Sequence, residues 1–112
     1  MENNNFGQVK ISNDVVATIA SLAALEVEGV ETNTTFTDKI LKNSGVKIQI
    51  DEEEVNLEIM VNIDYGVSIP EIALKVQENV KNTIETMTGL KVSQVNIHIQ
   101  GISFKKDKSD KE

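Results

Sequence analysis

The stretch VNLEIMVNIDY, from Val55 to Tyr65, alternates between apolar and polar side chains with one exception at Met60. Its odd-numbered positions are all aliphatic or aromatic, which is typical of a β-strand with one buried and one polar face. A strand that is covered on both faces has a continuous apolar run instead. The stretch therefore predicts a sheet that is covered on one side only, and the rest of the chain has to supply that cover.

Two amphipathic helices are predicted to supply it. The first begins at the N-cap Ser12 and extends to about Val27. Gly29, which is followed by an apolar residue, is typical of a left-handed glycine cap. The second begins after Ser68 and ends at Gly89. The apolar stripe of the first helix consists of Val15, Val16, Ile19, Ala20, Ala23 and Val27. That of the second consists of Ile72, Ala73, Val76, Val80, Ile84 and Met87.

Three further stretches alternate like strands: QVKIS near the N-terminus, VKIQI before the acidic loop DEEE, and VSQVNIHIQG near the C-terminus. VKIQI and the central strand are predicted to form an antiparallel hairpin. The alternation of the last strand changes phase at Gly101, which indicates a β-bulge. The order is strand, helix, strand, strand, helix, strand. It predicts an α+β two-layer sandwich: a mostly antiparallel sheet of about four strands with two long helices on one face.

Length and composition narrow the classes of function. The 112 residues predict one domain at 7–104, with a flexible N-terminus at 1–6 and a charged, disordered tail at 105–112. The chain has no cysteine and therefore no thiolate metal site. Its net charge is −7 and all its basic residues are lysine, which disfavours nucleic acid as a partner. The N-terminus lacks the basic and apolar regions of a signal peptide. No apolar run is long enough to predict direct insertion into a membrane.

The stretch YGVSIPE at the start of the second helix could be a phosphate-binding loop or a helix cap. A phosphate loop has several glycines at fixed spacing and usually a lysine at the start of the helix. Here there is one glycine, and the first lysine is Lys75. Ser68 and Glu71 have capping-box spacing, and Pro70 lies in the first turn, where its missing N–H costs nothing. We interpret the stretch as structural.

No catalytic, cofactor-binding or metal-binding residues are predicted, and the protein is not expected to be an enzyme. The single histidine, His98, lies on the polar face of the last strand without an evident nucleophile or ligand partner nearby in sequence. The acidic loop lacks the alternating ligands and the glycine of a calcium loop. It is predicted to be a solvated hairpin loop.

Two apolar residues stand apart from their surroundings: Met60 on the polar face of its strand and Leu74 outside the stripe of its helix. The polar face of the sheet would also present Gln49, Asn62, His98 and Gln100. This face is a candidate contact surface for another copy or a partner, with Met60 and His98 as its central residues and Leu74 as a competing site on the helical side. Alternatively, both are ordinary exposed apolar residues.

Three segments together resemble one known family. They are GQVKISNDVVATIASLAALEVEGV, VNIDYGVSIPEIALKVQENVKNTIETMTGL and KVSQVNIHIQGISF, which span Gly7 to Phe104. They are similar to the alkaline shock proteins of Gram-positive bacteria, also called envelope stress response or general stress proteins. The resemblance implies a small cytosolic protein without catalytic residues or cofactors, acting in cell-envelope homeostasis and stress responses.

The resemblance also implies the kind of partner. Some members of the family bind small membrane-anchored proteins, which hold them beneath the membrane, and some self-associate. The chain is therefore expected to be a scaffold or adaptor. Compact members are tied to fatty-acid or phospholipid synthesis. The alternative function is therefore that of a regulator binding a lipid-synthesis enzyme, such as acetyl-CoA carboxylase.

Overall fold

The computed structural model describes residues 6–31, 46–52 and 54–104. Its elements are α1 (Asn13–Leu25), β1 (Val46–Asp51), β2 (Glu54–Asp64), α2 (Ile69–Thr88) and β3 (Lys91–Ser103). The fold is α+β, with two helices and one mixed sheet. Residues 1–5 and the predicted tail at 105–112 lie outside the described residues, so the predicted domain limits stay a prediction.

The sheet has the order β1-β2-β3, with β1 antiparallel and β3 parallel to β2. The hairpin of β1 and β2 is confirmed, but the prediction of a mostly antiparallel sheet is wrong. The reason is the length of α2. Its 20 residues cover about 30 Å. This helix returns the chain to the start of β2, and Lys91 pairs with Glu54. The two strands then run in the same direction, as a helical crossover requires.

The predicted first strand is also wrong. Residues 8–12 belong to no strand and lead directly into α1. Val9 is 72% exposed, and only Ile11 packs against the core. An alternation with two apolar positions supplies too little buried surface to fix a strand against the sheet. Over the described part of the chain the sheet therefore has three strands rather than about four.

Both helices pack on the same face of the sheet, as the one-sided alternation predicts. The odd-numbered side chains of β2 from Val55 to Ile63 are at most 1% exposed and form one core cluster with side chains of α1 and α2. The helices are also joined by a polar contact, in which Asn79 Nδ2 donates to the carbonyl of Ala23 over 2.7 Å. The core is aliphatic and lies between the two layers.

The predicted helical stripes are mostly correct but contain two errors. Val15 is 48% exposed and Met87 is 65% exposed. In α1 the sequence is apolar on nearly all sides, so its composition does not determine which side is buried. In α2 the buried residue of the last turn is Thr88, whose hydroxyl donates to the carbonyl of Ile84 and so satisfies its own polar group.

The predicted N-caps are confirmed, and so is one of the two glycine caps. Ser12 Oγ accepts from the N–H of Val15, and Ser68 Oγ accepts from the N–H of Glu71. Gly89 ends α2 in the left-handed conformation. The prediction for Gly29 is wrong in part. This residue does have a φ of +102°, but α1 ends earlier, with a right-handed C-cap at Glu26.

Gly29 instead turns the chain toward the sheet. Its carbonyl accepts from the N–H of Asp64, and the next residue, Val30, forms an antiparallel bridge with Ile63. A Cβ on Gly29 would lie 2.7 Å from Ile72 Cδ1. Glycine is therefore needed here for its positive φ and for the close approach of α2, not as a helix cap.

The predicted bulge in β3 is confirmed. Ile99 pairs with Val61 and Gly101 pairs with Asn62, which leaves Gln100 as the extra residue. A Cβ on Gly101 would lie 2.8 Å from Asn62 Oδ1, so the glycine also makes room for the neighbouring strand. A second irregularity, with Ser93 as the extra residue near the start of β3, was not predicted.

Candidate protein-contact surface

The face of the sheet turned away from the helices carries mostly polar side chains. Successive side chains of a strand point to opposite faces, so the residues between the buried positions of β2 lie on this side. The same holds for the exposed positions of β1 and β3 that pair with them. We call this surface the open face. It consists of Lys47, Gln49, Asn56, Glu58, Met60, Asn62, Gln94, Asn96, His98 and Gln100.

Met60 and His98 are directly paired across β2 and β3. Neighbouring strands lie about 4.8 Å apart, so the two residues are adjacent on the open face. Met60 is half-buried and His98 is exposed. The structure therefore brings together two candidate residues that the sequence placed on separate strands. Together they form a partly apolar spot within a polar surface.

His98 has an acidic neighbour that the sequence analysis missed. Its Nε2 lies 3.9 Å from Glu58 Oε1, and each of these side chains is about half exposed. An exposed pair at this distance contributes little to stability. A histidine beside a carboxylate also lacks the nucleophile that a catalytic constellation needs. The signal for Glu58 was present in the sequence, since it lies two residues before Met60 and therefore on the same face of β2.

Carboxamide side chains form a row across the three strands of the open face. Gln49 pairs with Asn56, which in turn pairs with Gln94. This row forms part of an open concavity of about 400 Å³, whose lining also includes Lys47, Glu58 and Asn96. Gln49, which was predicted to lie on the open face, thus belongs to the end of that face that forms the concavity.

The other two predicted open-face residues, Asn62 and Gln100, lie at the bulge, beyond Met60 and His98. The open face therefore presents hydrogen-bond donors and acceptors on both sides of its methionine.

Leu74 lies on the opposite side of the molecule. It is part of α2, in the helical layer, and its side chain is 54% exposed. The structure therefore separates Leu74 from Met60 and His98 by the thickness of the domain. It is therefore not a member of the open face, and its role as a competing contact site stays a prediction.

The other motifs singled out in the sequence have structural roles. Ser68 caps α2 and Pro70 lies in its first turn, which supports the structural interpretation of YGVSIPE. The described residues of the acidic loop are exposed, and Glu52 has a φ of 55° at the hairpin turn. Within residues 6–31, 46–52 and 54–104, no group of three histidine or carboxylate side chains could hold a metal ion. The helices described there are too short or too polar to cross a membrane.

A family profile for the alkaline shock protein 23 family, which has a cell envelope-related function, matches residues 1–104. The chain belongs to this family. The resemblance inferred from the sequence is thus confirmed. The chain is 36% identical to Bacillus subtilis YqhY over 111 residues, which cover 92% of this chain and 82% of YqhY. It is 34% identical to Streptococcus pyogenes Spy1535 over 112 residues, which cover 95% of this chain and 87% of that protein.

The fold is also similar to solved structures of variants of MamM-CTD. One of them superposes with a TM-score of 0.53 at 11% sequence identity, covering 80% of this chain and 99% of that domain. At this identity the likeness concerns the fold alone. It shows that a very different sequence can adopt a similar fold.

Proposed function

We propose that the protein is a non-catalytic scaffold or adaptor in bacterial cell-envelope homeostasis and stress response, and that it binds a protein partner through the open face. Membership of a family with a cell envelope-related function supports the biological role. The pairing of Met60 with His98 supports the choice of the open face as the binding surface. In this account the protein needs no cofactor and has no catalytic residues.

The observation that carries the choice of surface is a half-buried methionine at the centre of a polar sheet face. A thioether on an unbranched chain adapts to different partner shapes. The carboxamides around it can form hydrogen bonds at the border of a contact. An apolar centre with a polar rim is the usual anatomy of a protein interface. The open face has both parts.

The proposed partner is a small membrane-anchored protein, which would hold the domain at the cytoplasmic side of the membrane. Nucleic acid is not proposed as a partner, because the chain has a net charge of −7 and contains no arginine. Direct insertion into the membrane is not proposed either. The alternative, regulation of a lipid-synthesis enzyme such as acetyl-CoA carboxylase, would use the same kind of protein contact and differs in the identity of the partner.

The experiment is capture of partners by the tagged parent protein from the detergent-solubilised membrane fraction and from the soluble fraction, with quantification by mass spectrometry. The scaffold proposal predicts enrichment of a small membrane protein from the first fraction. Enrichment of carboxylase subunits or another lipid-synthesis enzyme from the second fraction would favour the alternative instead. Turnover of a small molecule by the purified protein would contradict both.

A further inference from the structure

The side chains of β3 that face the helices become more exposed along the strand. Val95 is 8% exposed, and Ile97 and Ile99 are half-buried. Ile102 is 44% exposed. On β2, the residues that pair with these four positions are at most 1% exposed. The helical layer therefore covers β2 but leaves the second half of β3 partly uncovered on the side that faces the helices.

This uncovered part of β3 ends in an exposed aromatic pair. Phe104 follows Ile102 by two residues and stacks on Tyr65, with the ring centroids 4.9 Å apart. Each of the two aromatic side chains is 68% exposed. The backbone N–H of Tyr65 donates to the carbonyl of Ser103 over 2.8 Å, which fixes the pair at the ends of β2 and β3. The two rings extend the apolar surface of the strand.

Leu74 lies on the flank of α2 that faces β3. Gln77 Nε2 donates to the carbonyl of Val95 over 2.9 Å, and Lys81 Nζ donates to the carbonyl of Val92 over 3.4 Å. Leu74 precedes Gln77 by three residues and therefore lies on the same side of the helix. The two contacts also show that α2 runs antiparallel to β3, so earlier helix residues lie beside later strand residues. Leu74, which is 54% exposed, thus borders the part of β3 beyond Val95.

Together these side chains form one apolar surface, which we call the apolar strip. It consists of Tyr65, Leu74, Ile97, Ile99, Ile102 and Phe104. It lies on the side of the sheet that carries the helices, opposite the open face. A contiguous exposed apolar surface of this kind is typical of a contact site, whereas single exposed apolar residues are not.

The border of the apolar strip on α2 is acidic. Glu71 and Glu78 lie three residues before and four residues after Leu74, so they are its neighbours on the helix surface. Both are exposed, and neither takes part in an ion pair among the described residues. Lys75 directly follows Leu74 and therefore points to another side of the helix. The border on β3, residues 96–104, contains no lysine, arginine or carboxylate.

We propose that the apolar strip binds an amphipathic helix of a partner protein, which packs its apolar side on β3 and places lysine or arginine beside Glu71 and Glu78. A helix is the element that fits, because α1 and α2 already pack on this side of the same sheet. The distance along β3 from Ile97 to Phe104 is about 20 Å, which is the length of a helix of about 13 residues. Glu71 and Glu78 are about two turns apart, so basic residues at the same spacing would contact both.

The charges disfavour the other occupants. An anionic membrane surface or a nucleic acid would meet two carboxylates on a chain with a net charge of −7. A second copy would bring the same net charge. Its α1, NDVVATIASLAAL, contains no basic residue, and its α2 already buries an apolar stripe against its own sheet. A basic amphipathic helix from another protein satisfies both the apolar strip and its acidic border.

This inference goes beyond the proposed function, because it assigns a second contact surface on the other side of the sheet. An adaptor needs two separate surfaces to join two proteins, or to hold two segments of one protein. The open face and the apolar strip are separated by the thickness of the sheet, so that each can be occupied without displacing the occupant of the other.

Two synthetic peptides of about 14 residues test the chemistry of the apolar strip. Both carry leucine along one helical side, and their polar positions are lysine in one peptide and glutamate in the other. Each is titrated into the full chain, and binding is followed by the NMR signals of side-chain methyl groups. The lysine peptide should shift the methyl signals of Leu74 and Ile102 and leave that of Met60 unchanged. The glutamate peptide should bind at least tenfold more weakly.

A pair of leucine variants tests the apolar part of the contact. Leu74→Asn removes an apolar side chain from the strip without changing the net charge, and it should weaken binding of the lysine peptide about tenfold. The matched control is Leu22→Asn on α1, since Leu22 is 48% exposed and also belongs to a helix. It should bind the peptide with parent-like affinity. Urea denaturation verifies that both variants are folded.

A pair of charge variants tests the acidic border. Glu71→Gln combined with Glu78→Gln should weaken binding of the lysine peptide several-fold, and the loss should shrink as the salt concentration rises. Glu28→Gln combined with Glu52→Gln makes the same change in net charge at exposed positions away from the apolar strip. It should have a smaller effect. Equal losses in both double variants would show attraction to the net charge alone and would overturn the proposal.

Three other results would also overturn it: no binding of the lysine peptide at about 1 mM, methyl shifts at Met60 instead of Leu74 and Ile102, or parent-like binding by Leu74→Asn. These results leave the proposed function untouched, because that function depends on the open face. If the peptide binds as described but no partner is captured through the open face, the proposed function fails and this inference stands.

Discussion

Glu85 Oε2 accepts a hydrogen bond from the backbone N–H of Val92 over 2.9 Å, which ties the last turns of α2 to the start of β3. The same carboxylate oxygen lies 3.3 Å from Lys81 Nζ. The backbone hydrogen bond from Val92 is the largest cause of a lowered pKa at Glu85, and Lys81 contributes in the same direction. The carboxylate is thus stabilised in its ionised form at the point where the chain leaves the helix for the sheet.

The first prediction is a pH-dependent effect of Glu85→Gln. Because the pKa of Glu85 is lower in the folded protein than in the unfolded chain, its ionised form contributes stability at neutral pH. This contribution should be fully present above the usual pKa of a glutamate and should disappear as the pH falls through the lowered pKa of Glu85. Urea denaturation should therefore show the parent more stable than the variant at pH 7, and the two should converge in acid. A difference that is independent of pH would contradict the assignment.

The second prediction concerns which face of the sheet is buried against the helices. Ile59 is fully buried, and Ile59→Ala should lower the free energy of unfolding by about 2–5 kcal/mol. Ile97 lies beside it on β3 but is only half-buried, so Ile97→Ala should cost less. Denaturant midpoints of both variants check this order. An unchanged midpoint for Ile59→Ala would mean that the buried face of the sheet has been assigned to the wrong side.

The third prediction separates backbone strain from packing at the glycines. Gly29 and Gly66 have nearly the same positive φ, of +102° and +99°, but a Cβ meets Ile72 only at Gly29. Gly66→Ala should therefore show backbone strain alone, about 1–3 kcal/mol. Gly29→Ala should be more destabilising, because Ile72 must also move. Thermal denaturation of the two variants makes the comparison, and equal losses would refute the role of close packing at Gly29.

The facing of β2, the helix caps and the bulge could be predicted from the sequence, because each depends on residues that are close together in the chain. The alternation from Val55 to Ile63 was sufficient to predict a half-buried strand with both helices on one side. The caps at Ser12, Ser68 and Gly89 follow from hydrogen bonds within one turn of the helix. The bulge at Gly101 was visible as a change of phase, because an extra residue reverses the side on which apolar residues must lie.

Strand direction, strand register and contacts between different elements could not be predicted from the sequence. Alternation is the same in parallel and antiparallel strands, so it could not show that β3 runs parallel to β2. The pairing of Met60 with His98 depends on a register that two bulges set. The contact of Gln77 with the carbonyl of Val95 joins two different elements and leaves no joint pattern in the sequence.

The central claim, that a partner binds the open face at Met60 and His98, is tested by Met60→Glu combined with His98→Glu. Leu74→Glu is the control on the helical side. Glutamates on the open face should disfavour the methionine-centred contact without unfolding the domain, which urea denaturation can verify. The measurement is the affinity of each folded variant for the captured partner. The account predicts at least a tenfold loss for the double variant, about 1.4 kcal/mol or more, and parent-like affinity for Leu74→Glu. Parent-like binding by the double variant would contradict it.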